Sequence, residues 1–223
     1  MKIQGFIFDM DGTMVDNMMV HHRAWQRKLA ELGLEMNLEE VRQSIHGINE
    51  EILERLFGER FSLEERKRIS SEKEAAYREI FLPELKLLDG LSDFLQSAFE
   101  KGIVMGVGTA APIENVDFVL DHLNIRHYFK AVIHAGLVSK GKPDPEVWKK
   151  VAEGMDLNLE HCLVFEDSPT GTEAARRAGC PTYVVTTTHM QEEFAQFPNI
   201  VGFLEDFTTI SIEEILQGVY FYK

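Results

Sequence analysis

Positive charge is scarce in this sequence: 23 lysines and arginines stand against 37 aspartates and glutamates, a formal net charge of −14. So large an acidic excess disfavours nucleic acid and anionic membrane as partners, and an anionic substrate would need cations placed locally to receive it. Cysteine is nearly absent. Cys162 and Cys180 both lie in or beside apolar segments, which suits core filling in a reducing compartment better than a catalytic thiol. No apolar run approaches the ~18 residues of a membrane span, and residues 1–8 are too short and wrongly flanked for a signal peptide. A soluble, cytoplasmic protein is expected, monomeric or weakly homo-oligomeric. Its 223 residues suffice for one large domain or a medium domain with a smaller insert.

What is present is concentrated in one run, Phe6-Ile7-Phe8-Asp9-Met10-Asp11-Gly12-Thr13. The apolar residues read as a short buried strand, and Gly12 lets the backbone turn directly after the second carboxylate. Asp9 and Asp11 therefore belong at the carboxyl end of a strand, where open α/β sheets bind ligands. Carboxylates this close repel each other and call for a divalent cation or a shared proton. Phosphoryl transfer fits: one carboxylate attacks, a metal neutralises the phosphate, and the other carboxyl moves a proton.

Between residues 17 and 86 no convincing strand pattern occurs, and Glu, Arg, Lys and Leu recur at helical spacing. Helix starts are legible at Asn37 with Glu40, at Asn49 opening Glu50-Glu51-Ile52-Leu53, and at Ser62 with Glu65. From Leu87 onward short apolar runs alternate with helical patterns. Residues 103–107, 131–133, 162–165 and 182–185 read as buried parallel strands. Helices are expected near 90–100, 113–123, 145–154 and 169–178, with Asp144-Pro145 and Ser168-Pro169 each pairing an N-cap residue with a proline at the first helical position. The fold class is α/β: a doubly wound, Rossmann-like parallel sheet built from residues 1–16 and 87–223, carrying an inserted all-helical cap domain, residues 17–86.

Further polar residues stand at later strand ends: Thr109, Lys142 in Gly141-Lys142-Pro143-Asp144-Pro145, and Glu166-Asp167 after Leu163-Val164-Phe165. With the Asp9/Asp11 pair these make four motifs in order. Over nearly its whole length the chain resembles the haloacid dehalogenase-like (HAD) hydrolase superfamily. In Phe8-Asp9-Met10-Asp11-Gly12-Thr13 and Phe165-Glu166-Asp167-Ser168-Pro169-Thr170-Gly171 it resembles the β-phosphoglucomutase-like branch with a helical cap. The resemblance implies that Asp9 is a nucleophile forming an aspartyl-phosphate. It makes Asp11 the general acid and base, Thr109 a donor to a phosphate oxygen, and Lys142 the balance for the nucleophile's charge. Mg²⁺ would be held by Asp9, by the Asp11 carbonyl, and by Asp167 with Glu166, directly or through water.

The same resemblance assigns substrate contacts to His21, Glu50, Lys73 and Ala110, with an exposed helix position the safer expectation for Lys73. Two departures stand out. Where the mutase branch has a phosphate-gripping arginine, the loop His46-Gly47-Ile48-Asn49-Glu50 offers Glu50, and where it has serine and lysine, Ala110-Ala111-Pro112 offers neither. A charge-assisted hydrogen bond is worth about 1.5–3 kcal/mol, so a bisphosphate intermediate would lose much of its second grip. Hydrolysis needs no such grip. The expected function is thus a Mg²⁺-dependent phosphatase of small phosphorylated metabolites such as sugar phosphates, with a sugar phosphomutase or an inorganic pyrophosphatase as alternatives.

Overall fold

Strand β1 (Gly5–Phe8) is buried at all four positions, and the chain leaves it through a tight turn into a run of helices. The computed structural model describes residues 2–45 and 47–218 and divides into two units, Met1–Asp16 with Lys86–Lys223, and Asn17–Leu85. Lys86 groups with the first unit rather than with the helices, its ammonium 3.3 Å from Asp89.

The second unit is all helical: α1 (Met18–Glu31), α2 (Leu38–Ser44), α3 (Asn49–Phe57) and α4 (Leu63–Phe81). Its core gathers Trp25, Leu29, Val41, Ile52, Leu53 and Ile69. Asn37 and Ser62 close reciprocal capping boxes with Glu40 and Glu65, so α2 and α4 begin where the sequence spacing requires. Asn49 does not cap α3. Ile48 holds the cap position without a side-chain bond, and the Asn49 amide instead donates to Glu74 Oε1 on α4 at 2.8 Å.

The first unit continues with α5 (Leu91–Glu100), β2 (Val104–Gly108), α6 (Ile113–His122), β3 (Phe129–Ile133), α7 (Glu146–Met155), β4 (Cys162–Glu166), α8 (Pro169–Ala178), β5 (Thr182–Val185), β6 (Ile200–Leu204) and α9 (Ile212–Gly218). The strands form one sheet in the order β3-β2-β1-β4-β5-β6, every neighbouring pair parallel. Strand order reverses at β1, which leaves a crevice at the carboxyl ends of β1 and β4. Side chains alternate across the sheet. Ile7 and Val164 face an aliphatic layer with Val147, Val151 and Met155 of α7 and the free thiols Cys162 and Cys180. Phe6, Phe8 and Phe165 face the other way and pack with Phe94 of α5 and with Phe207.

Ser168 caps α8 as its spacing with Pro169 implies, accepting from Gly171 N. Pro145 differs from expectation: it holds the N-cap position of α7, and Asp144 Oδ1 accepts from Glu146 N at 3.0 Å. Strand β6 and helix α9 have no counterpart in the sequence reading. Among the described residues no helix is long and apolar enough to cross a membrane.

Candidate functional site

Asp9 is the first residue beyond β1, and its amide extends the ladder by donating to Phe165 O at 2.9 Å. That register sets its side chain beside Glu166, the last residue of β4, and Asp167, the next one. All three carboxylates are buried, 5%, 1% and 4% exposed, and each offers an oxygen within 4.8 Å of the others. Asp11 is half-buried and lies outside that group.

Lys142 reaches into the triad from the loop before α7, its Nζ 2.6 Å from Asp9 Oδ1 and 2.7 Å from Glu166 Oε2. Beneath it lies Trp148, with the ammonium 4.2 Å from the ring centroid. Both oxygens of Glu166 are occupied, since Oε1 accepts from the Ser168 amide at 3.0 Å and hydroxyl at 2.7 Å. The turn into α8 wraps this carboxylate so closely that a Cβ on Gly171 would lie 2.1 Å from it. Glu166 is therefore engaged in fixing Lys142 and the β4–α8 turn, while Asp9 and Asp167 have the freer oxygens.

Three carboxylates and one ammonium leave the site short of positive charge. Burial pushes the Asp9 carboxyl up to about 8, with Glu166 and Asp11 adding to the rise and Lys142 opposing it. Asp167 is held well above the usual carboxylate range by burial and by Glu166 and Asp9. For Lys142 burial works against the charge, but the two carboxylates outweigh it and raise its pKa. A compact, buried, all-oxygen donor set that repels itself fits a hard divalent cation.

Thr109 follows β2, and its amide donates to Ile133 O at 2.9 Å. Its buried hydroxyl accepts from Ala111 N at 3.0 Å, an arrangement that leaves the hydroxyl proton to donate elsewhere. Ala110 is exposed beside it.

In the helical unit, Lys73 corrects the expectation of an exposed helix lysine: it is 2% exposed. Its Nζ lies 2.9 Å from Glu74 Oε1 and 2.9 Å from His21 Nδ1, and 5.6 Å from the centroid of the Trp25 ring. Because an ammonium only donates, His21 accepts at Nδ1 and carries its ring proton on Nε2. The His21 ring stacks on Tyr77 at 4.0 Å, and Asn17 donates to the Tyr77 hydroxyl at 2.6 Å. Burial works against ionised Glu74, yet the Lys73 ammonium and the Asn49 amide hold its carboxyl down at about 2. Glu50 is half-buried in the first turn of α3, and His46 lies outside the described residues. Glu74 and Tyr77 are the polar partners that sequence reasoning missed, and Asn49, expected as a helix start, joins them. Periodicity alone marks none of them.

A family model described as haloacid dehalogenase-like hydrolase matches residues 3–179. The chain is 33% identical over 189 residues to the fructose-1-phosphate phosphatase YqaB of Escherichia coli strain K12, covering 80% of this chain and 94% of that one. It is 32% identical over 182 residues to a phosphorylated carbohydrates phosphatase of Thermotoga maritima, covering 79% and 82%. Among solved structures it is similar to the β-phosphoglucomutase of Clostridium difficile, with a TM-score of 0.82 at 25% identity, covering 99% and 98% of the two chains.

Proposed function

The chain belongs to the haloacid dehalogenase-like hydrolase family, and from that premise we propose that it is a phosphatase of small phosphorylated metabolites, sugar monophosphates above all. The observation that carries the reading is the Lys142 ammonium lodged between Asp9 and Glu166 at the switch point of the sheet. Asp9 attacks phosphorus, the bond to the leaving oxygen breaks, and Asp11 gives that oxygen a proton. Asp11 then takes a proton from water, which attacks the aspartyl-phosphate and frees inorganic phosphate and the Asp9 carboxylate. Thr109 donates to a phosphate oxygen, and Lys142 opposes the effect of burial on Asp9 and meets the charge developing on phosphorus. Asp9, Asp167, the Asp11 carbonyl and, directly or through water, Glu166 would hold Mg²⁺, which supplies positive charge that offsets the repulsion between carboxylate and phosphate.

Hydrolysis is favoured over phosphoryl transfer to a second position. The one cation assigned to the substrate in the helical unit, Lys73, is already paired with Glu74, Glu50 is an anion, and Ala110-Ala111-Pro112 brings no charge. A bisphosphate would find little to hold its second phosphate. Relatives that act on fructose 1-phosphate and phosphorylated carbohydrates support sugar monophosphates, and the likeness to a β-phosphoglucomutase keeps the mutase as the second reading. The buried thiols, raised by burial to about 11 for Cys162 and about 12 for Cys180, suit a reducing cytoplasm.

Phosphate release with Mg²⁺ across hexose, pentose and triose phosphates and pyrophosphate tests this. Release from sugar monophosphates above an Asp9→Asn control is expected. Conversion of β-glucose 1-phosphate to glucose 6-phosphate without released phosphate would replace the phosphatase with the mutase.

A further inference from the structure

The three threonines that follow β5 send their hydroxyls to three different places. Thr186 Oγ1 donates to Leu204 O at 3.2 Å, the carbonyl that the Thr186 amide already pairs with at 2.8 Å to continue the ladder to β6. Thr187 Oγ1 donates to the carbonyl of Gly12, in the turn that carries Asp11. The Thr188 hydroxyl stands by the Asp167 carboxylate, where it favours the charged form against burial, and Thr187 Oγ1 and Thr188 Oγ1 lie 3.4 Å apart. Gly12 marks the same junction independently. Its φ is +80°, and a Cβ there would lie 2.2 Å from Asp167 Oδ2 and 2.8 Å from Thr188 Oγ1. The other carboxylate oxygen, Oδ1, faces Thr13 Oγ1 at 3.4 Å, a longer and weaker contact.

We propose that Thr187 and Thr188 are positioning residues for the divalent-cation site: Thr188 orients the Asp167 carboxylate and Thr187 pins the Gly12 carbonyl and so the turn that presents Asp11. The inference rests on the metal reading of the proposed function. A carboxylate flanked by neutral hydroxyls keeps lone pairs for a cation, while the hydroxyls fix which way those lone pairs point. Outer partners of this kind commonly set metal affinity by about 10–100-fold. The segment does this because β5 pairs with β4, so the residues leaving β5 pass beside the one that follows β4.

Mg²⁺ binding to the intact protein by calorimetry, with the Mg²⁺-induced rise in melting temperature as a second readout, tests the assignment. Thr188→Val is expected to weaken Mg²⁺ binding by roughly tenfold with its melting temperature in chelator unchanged, and Thr188→Ser to restore affinity. Thr186→Val serves as the control: it removes the side-chain hydrogen bond to Leu204 O, keeps the backbone one, and leaves Mg²⁺ affinity alone. Should the valine variant fail to fold, Thr188→Ala removes the same hydroxyl with less bulk. Equal Mg²⁺ affinity in wild type and the Thr188 variants overturns the positioning role. A wild type that binds no Mg²⁺ overturns the metal reading itself, and the two failures are thereby distinguished.

Discussion

At Asp9 two demands conflict, because the carboxyl must be shielded to exclude water and charged to attack phosphorus. Burial outweighs the Lys142 ammonium 2.6 Å away, and with Glu166 and Asp11 adding to the rise the carboxyl stands at about 8. Asp9→Asn relieves the conflict by giving up the chemistry. The amide still accepts from Lys142 but carries no charge. The variant should melt no lower than wild type in chelator near pH 8, while phosphate release falls by a thousandfold or more, roughly as for other lost nucleophiles. A variant retaining a tenth of wild-type turnover would exclude Asp9 as nucleophile. Sequence order and residue type mark Asp9, Lys142, Glu166 and Asp167 as one site, and their side chains do meet. Thr188 was not legible in the same way. Its neighbour Asp167 follows another strand, β4, and a threonine after a strand is ordinary until the sheet order is known.

Helix boundaries were legible where the deciding contact is local. Asn37 with Glu40 and Ser62 with Glu65 lie three residues apart, and both form capping boxes. Asn49 was misread because its amide has a better partner on α4, Glu74. Helix α9 carries a local signal of the same kind: Ser211 and Glu214, three residues apart, exchange hydrogen bonds at its start. Strand β6 is half-buried over its first four residues and interrupted by Gly202, so its pattern is weak. The Lys73–Glu74 pair belongs to this scale, since it is buried between elements of the helical unit. Removing one partner of a buried pair costs about 3–5 kcal/mol, because the other charge is stranded, whereas replacing both with apolar residues is often neutral or better. Lys73→Met should therefore destabilise by about 3 kcal/mol, and Lys73→Met with Glu74→Leu should recover most of that loss in urea unfolding. A double variant whose loss equals the sum of the two singles would show that the charges do not stabilise each other.

Over the whole molecule these buried carboxyls set opposite limits on stability. Asp9, raised to about 8, and Asp167, raised with it, hold protons in the native state that the unfolded chain releases near pH 4. Their contribution is complete below about pH 4 and falls as pH rises, that of Asp9 being lost through about 8. Glu74, lowered to about 2, acts the other way, its contribution present above about pH 4.5 and lost as pH falls toward 2. In chelator the protein should therefore be most stable in mildly acid solution and weaken toward pH 8. A divalent cation binds the ionised carboxylates and competes with their protons, so the rise in melting temperature at saturating Mg²⁺ should grow from pH 5 to pH 8. General repulsion from a net charge of −14 also grows with pH, but Asp9→Asn separates the two effects. It removes one charge of many, yet it should flatten much of the chelator profile between pH 5 and 8. If that profile keeps its full slope in Asp9→Asn, bulk charge governs the pH dependence and the buried triad does not.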